Sequence, residues 1–230
     1  MSAAAEASLT QTPVAAPKLY RASALASGFV RMWRGWRVMV PVIVLNALIQ
    51  ALLVLPAFSV EAVALNAVFA VLSALVALAS LVLVTIAAQQ AIEGTSTWSQ
   101  VVSADRRTLG LALIWAVALV LVLTVGFSLW TLPGILIAAV TPFVLISAVA
   151  GERNPLVANF RTIGRRFWRW LVSALITSVV LIVGALGSGF VVFFLRGMLG
   201  AGLVWLAVGV VAAWFTTAWT LIYWHSLEQQ

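Results

Sequence analysis

The chain has no cysteine. That removes disulfide frameworks, thiolate zinc sites, iron–sulfur clusters and thiol nucleophiles. It has one histidine, His225, and six acids: Glu6, Glu61, Glu93, Asp105, Glu152 and Glu228. The acids are far apart and none falls deep in an apolar run, so no pair suggests general acid–base work. The expectation is a non-enzymatic protein with no metal and no cofactor. Charged residues of both signs make up 8% of the 230 residues, against about 25% in a soluble domain. So few charges cannot cover a folded surface in water, and a soluble globular protein is excluded.

What the chain does have is apolar: 64% of it is hydrophobic, and mean hydropathy is +1.15. A hydrocarbon core about 30 Å thick takes roughly 20 apolar residues per helix. By that measure the sequence predicts six spans, at about 38–58, 62–91, 109–130, 133–151, 170–195 and 199–224. Each run is apolar on all sides. Helices are therefore expected, not barrel strands, which alternate. Turns are expected at Pro56, Ser59 and Glu61, at Trp130 to Gly134, and at Arg196-Gly197. The fold class is thus an all-α integral membrane protein. Residues 1–18 form a disordered cytoplasmic tail and residues 19–230 a single six-helix membrane domain. The tail has no basic start followed by an apolar stretch, so it does not read as a signal peptide.

Charge placement orients the spans. Lys18, Arg21, Arg31, Arg34 and Arg37 precede the first span, and Arg106 and Arg107 lie between the second and third. Arg153, Arg161, Arg165, Arg166 and Arg169 lie between the fourth and fifth, and only Arg196 falls on the other side. This positive-inside pattern predicts a multi-pass protein of the cell inner (cytoplasmic) membrane with both termini in the cytoplasm. The net charge of +7 then reflects topology. The expected partners are anionic inner-leaflet headgroups and other membrane subunits, not nucleic acid.

The segments before the odd-numbered spans are distinctive. In 154–170, Asn154 is an N-cap with Pro155 at the first helical position. Leu156, Phe160, Ile163, Phe167 and Trp170 then recur at helical spacing, with Arg161, Arg165 and Arg169 opposite. An aromatic stripe with a basic back describes a helix lying in the membrane interface. Residues 22–37 repeat the design with Leu25, Phe29, Met32 and Trp36 as the stripe, and Arg31 and Arg34 facing away. Thr97 to Gln100 is a weaker third case that opens with a capping-box pattern. Three units follow, each an interfacial helix and a hairpin of two spans. Six tryptophans, at 33, 36, 98, 168, 170 and 224, fall at the inner boundary. The candidate lipid-facing collar is Arg31, Trp33, Arg34, Trp36, Arg161, Arg165, Trp168, Arg169 and Trp170.

At Glu152-Arg153-Asn154-Pro155-Leu156, and at Gly94, Ser99 and Arg106-Arg107, the chain resembles the glycerophosphoryl diester phosphodiesterase membrane-domain family and related bacterial six-span proteins. The resemblance implies the six-span architecture. It does not imply the phosphodiesterase activity, because that family's catalytic domain is a separate metal-dependent barrel.

Polar residues within spans are expensive in lipid. Asn46 and Gln50 share a face of the first span and form a candidate intramembrane polar site; interhelical hydrogen bonding is the alternative. Pro41 and Pro142 are expected to kink their spans. Gly184, Gly187 and Gly189, and the glycines of the last span, read as points of close helix contact. His225 reads as an interfacial residue. The function expected is a lipid-associated, scaffold or accessory role. The alternative is a transmembrane subunit of a transporter, an ABC-type permease or substrate-binding component, that needs a separate ATPase.

Overall fold

A computed structural model describes residues 24–57, 63–129, 131–195 and 197–228. The expected tail at 1–18, Lys18 and Arg21, Ser59 and Glu61 of the first turn, Trp130 of the second and Arg196 of the third lie outside these residues. Among the described residues every regular element is a helix. They are α1 (Ala24–Met32), a 3₁₀ turn (Trp33–Gly35), α2 (Trp36–Ala57), α3 (Val63–Glu93), α4 (Trp98–Val102) and α5 (Arg106–Leu129). After these come α6 (Thr131–Val140), α7 (Val144–Val149), α8 (Pro155–Arg165), α9 (Phe167–Phe194) and α10 (Met198–Leu227).

Five helical stretches are long and apolar enough to cross a membrane: Ala24–Val54, Leu65–Glu93, Arg106–Gly126, Phe167–Phe194 and Met198–Leu227. The stretch expected as a fourth span appears as Pro133–Val149, shorter than the rest and divided between α6 and α7. Pro142 accounts for the division. It has no N–H to continue the ladder, and its ring crowds the carbonyl four residues back.

The first lead-in also differs from expectation. Backbone angles at Met32 and Trp36 are helical on both sides of the 3₁₀ turn, so no extended linker separates α1 from α2. The two helices nevertheless differ in course: Leu25 and Gly28 meet Trp214 and Ala218, whereas Ile43 and Ala51 meet Gly209 and Gly202, the reverse order along α10. Part of the expected stripe on α1 faces protein: Leu25 and Met32 are buried, and Phe29 meets Trp214 edge-on at 5.7 Å. Gly28 permits this approach to α10, since a Cβ there would lie 2.7 Å from Ala218.

The other two lead-ins do stand apart. The Thr97 N–H donates to Gln100 Oε1 (3.1 Å), one half of the expected capping box. Asn154 accepts from Val157 N (3.3 Å) with Pro155 behind it. α8 then breaks from α9 at Arg166, whose φ of −126° and ψ of 35° leave the helix.

Helix α10 sits at the centre and packs on α1, α2, α3, α7, α8 and α9. One apolar cluster joins Val38, Met39 and Ile43 of α2 to Val82 and Ile86 of α3, Ala112 of α5 and Ala213 of α10. A second joins Leu25, Phe143, Ile163, Ala174, Trp219 and Tyr223. Gly202 lies against Ala51 and Gly209 against Ile43, the close approach expected of the last span. Gly197 turns the chain between α9 and α10 at φ +74°, in the left-handed region open to glycine. Gly184, Gly187 and Gly189 depart from expectation, since a Cβ at any of them would meet nothing within 4 Å.

Candidate functional site

The last carbonyls of a helix lack intrahelical donors and carry partial negative charge. Arginines from other elements satisfy them here. Arg31 Nη1 donates to Ile92 O at the end of α3 (3.0 Å). Arg165 Nη1 donates to Ser226 O (3.2 Å) and Arg166 Nη2 to His225 O (2.9 Å), both at the end of α10. These bonds gather α1, α8 and the C-terminal ends of α3 and α10 at one end of the bundle. We call it the arginine end. Arg31 and Arg165, read from sequence as facing headgroups, thus hold helices together as well.

The rest of the collar surrounds them. Arg34, Arg161 and Arg169 are exposed, as are Trp33, Trp36 and Trp168, the last at 75%. The Arg37 guanidinium stands 5.9 Å from the Trp36 ring centre, in cation–π range. On α8 the outward residues are Leu156 and Phe160, followed by Phe167 at the start of α9. The inward face is Pro155, Ala158, Asn159, Thr162 and Ile163. α8 therefore has an aromatic face, a basic face and a small polar face, and the last of these seats it on the protein.

That polar face holds the break in the fourth apolar stretch. Between α6 and α7, Val144 N turns back to Thr141 O, which leaves Val140 O without its helical donor. Asn159 Nδ2 supplies one at 2.7 Å. Phe143 N–H, diverted from Ala139 O, donates to Asn159 Oδ1 at 3.0 Å, and Trp170 Nε1 takes up Ala139 O at 2.8 Å. Two side chains thus meet three of the backbone groups that the break opens. Trp170 was read from sequence as a headgroup residue; the structure spends its N–H on this break. Asn159 is fully buried and was not singled out from sequence. Pro142 was the available signal, because a broken helix must find donors and acceptors elsewhere.

Asn46 and Gln50 are both buried, at 6% and 2% exposure, but they do not act together. Gln50 donates Nε2 to Ser73 O (2.9 Å) and accepts from Ser73 Oγ (2.5 Å), which ties α2 to α3. Asn46 Oδ1 accepts no hydrogen bond from the described residues. Further ties are Gln89 Nε2 to Ile146 O (2.8 Å) and Tyr223 OH to Glu152 Oε1 (3.3 Å) at the arginine end, and Trp214 Nε1 to Leu25 O (2.8 Å) midway along α10. His225 Nε2 stands 4.0 Å from Glu228 Oε2. Among the described residues no three of His, Asp and Glu lie close enough to hold a metal ion. No protein-family model, curated protein or solved structure matches this chain.

Proposed function

We propose that the chain is a non-enzymatic, multi-pass protein of the cytoplasmic membrane whose arginine end engages anionic inner-leaflet headgroups in a lipid-associated, scaffold or accessory role. In this reading α6 and α7 together make a broken sixth crossing and both termini lie in the cytoplasm. The lead-ins α1, α4 and α8 open three related units. Kinship with the glycerophosphoryl diester phosphodiesterase membrane-domain family belongs to the same proposal and brings no catalytic residue with it. The observation that carries the reading is the exposed set Trp33, Arg34, Trp36, Arg161 and Trp168 around an end whose interior is tied by other arginines. Amphipathic aromatic rings and basic side chains suit the headgroup layer, where each Lys or Arg contributes about 1 kcal/mol.

The test is lipid retention by the purified protein. In native mass spectrometry from mixed micelles, Arg34/Arg161/Arg169→Gln is expected to lower phosphatidylglycerol retention by about tenfold or more. Arg165 is left in place because it caps α10. An unchanged preference for phosphatidylglycerol over phosphatidylcholine removes the reading.

A second reading, a transmembrane subunit of a transporter with a separate ATPase, is favoured by α9. No residue of its most apolar stretch is buried, and its three glycines stand open, a surface suited to another subunit's helix. Co-purification of an ATPase in mild detergent is its expected result; a chain that purifies alone under the same conditions counts against it.

A further inference from the structure

Between the end of α3, α4, the start of α5 and the end of α7 is a cavity of about 240 Å³ that opens at the arginine end. Its deepest lining is apolar, with Ile86, Ala112 and Val149 all buried. Three amides, Gln89, Gln90 and Gln100, form its walls. Gln89 donates Nε2 to Ile146 O and keeps its Oε1 as an acceptor, whereas Gln90 Oε1 accepts from Ser96 Oγ and Gln100 Oε1 accepts from both Thr97 N and Thr97 Oγ1. The exposed carboxylates Glu93 and Asp105 stand at the mouth.

The charge at this opening runs against the rest of the molecule. The chain has thirteen Lys and Arg against six acids, yet among the described residues no cation lines the cavity. Arg106 and Arg107 follow Asp105 directly in sequence, but among the described residues neither Glu93 nor Asp105 is in an ion pair. The two carboxylates, the Gln89 carbonyl oxygen and the apolar floor together describe a receptor for a small cation on an apolar stem. The volume is below the roughly 300–1,000 Å³ of drug-sized sites, so it suits a headgroup or a short amine.

We propose that this cavity binds a primary ammonium group, with an aminophospholipid headgroup as its source. A primary ammonium offers three N–H donors, which the two mouth carboxylates and Gln89 Oε1 can accept. Its methylene stem lies on the apolar floor. A trimethylammonium group has no N–H and is bulkier, so it is disfavoured. The exposed Arg106 and Arg107 begin α5 beside the mouth, where the adjoining phosphate of the same headgroup would lie. The membrane source rests on the lipid-facing role proposed above; the ammonium site itself does not. A soluble alkylamine shares the chemistry and is separated by the experiment.

Purified full-length protein is examined by native mass spectrometry from micelles with fixed phosphatidylglycerol and equal phosphatidylethanolamine and phosphatidylcholine. Propylammonium chloride is titrated calorimetrically in parallel. Contacts with exposed carboxylates are individually weak, so the expected preference for phosphatidylethanolamine over phosphatidylcholine is about fivefold. Glu93→Gln/Asp105→Asn is expected to bring the ratio to about one, because the amides keep the side-chain size and remove both negative charges. Ala104→Phe narrows the cavity from a half-exposed position and gives the same result if the carboxylate variant misfolds. Propylammonium binding without a lipid preference keeps the site and makes the ligand a soluble amine. Equal retention of the two lipids with no propylammonium binding overturns the proposal. So does a preference that survives both variants. Arg34/Arg161/Arg169→Gln is expected to lose phosphatidylglycerol and keep the phosphatidylethanolamine ratio, so this proposal and the collar reading fail separately.

Discussion

The two ends of the bundle are built differently. In the half of the bundle that carries the arginine end, side chains from α1, α3, α8, α9 and α10 reach the backbone of other elements: Arg31 to α3, Arg165 and Arg166 to α10, Gln89 to α7, Trp214 to α1, and Asn159 and Trp170 to the break beside Pro142. Toward the other end α2 still packs on α10, at Ala51 and Gly202, and α5 on α6, at Gly126 and Gly134, but the outer faces open. Val68, Val71, Leu72 and Leu75 of α3, Leu121 and Val125 of α5, and Phe190, Phe193 and Phe194 of α9 are all exposed. Lipid tails are as apolar as leucine, so burying leucine against leucine gains little in a bilayer. Close packing and hydrogen bonds must do the joining instead. The arginine end has both in most of its helices; at the opposite end α3, α5 and α9 also present apolar surface that lipid serves equally well.

The comparison can be broken most directly at Asn159. Asn159→Leu strands Val140 O and Phe143 N–H in a buried site, and the expected loss is about 2–5 kcal/mol for two unmade bonds, read as a fall in thermal midpoint in detergent. Adding Pro142→Ala should recover part of it, because a continuous helix satisfies those groups itself. If Asn159→Leu leaves the midpoint unchanged, the break is not held as described.

Gly28→Ala comes next. Its Cβ meets Ala218 at 2.7 Å, much of it backbone, and overpacking of this kind costs about 1–3 kcal/mol. Gly187→Ala, at the other end, should do the opposite and raise helix stability by up to about 1 kcal/mol. Equal effects at the two glycines would remove the distinction between the ends. Trp170→Phe keeps the ring and loses the bond to Ala139 O, so a loss of about 1 kcal/mol is expected in the same assay. Gln50→Leu is expected to cost least, about 0.6 kcal/mol and at most about 1.7, the range for interhelical hydrogen bonds within lipid.

Much of the architecture was legible in the residues. Apolar run length marks a membrane helix because hydrocarbon thickness sets one dimension, and all five long helices fall where the runs were read. The caps at Thr97 and Asn154 were legible because capping is local. Less of the site was. The pattern around Phe29 and Trp36 reads as a lipid stripe because helical spacing shows which residues share a face, not what that face meets. Leu25 and Met32 meet α10 and its neighbours instead. The same limit applies to Arg31 and Arg165. A guanidinium near a helix end can serve a headgroup or a carbonyl, and sequence spacing does not distinguish them. Asn46 and Gln50 were paired by their shared helix face, yet Ser73, twenty-three residues beyond Gln50, decides what Gln50 does.

By itself the sequence determined that this protein is a set of apolar helices, that Cys chemistry is absent, and that basic residues gather in alternate connections. Those properties depend on composition, run length and nearest neighbours. Only the tertiary structure decided that α1 lies against α10, that Pro142 breaks a helix held by Asn159 and Trp170, and that Glu93 and Asp105 meet at one cavity. Each of these depends on which buried donor or acceptor, or which charge, is brought near from a distant part of the chain, and hydrogen bonds at about 3 Å are set by packing, not by sequence spacing.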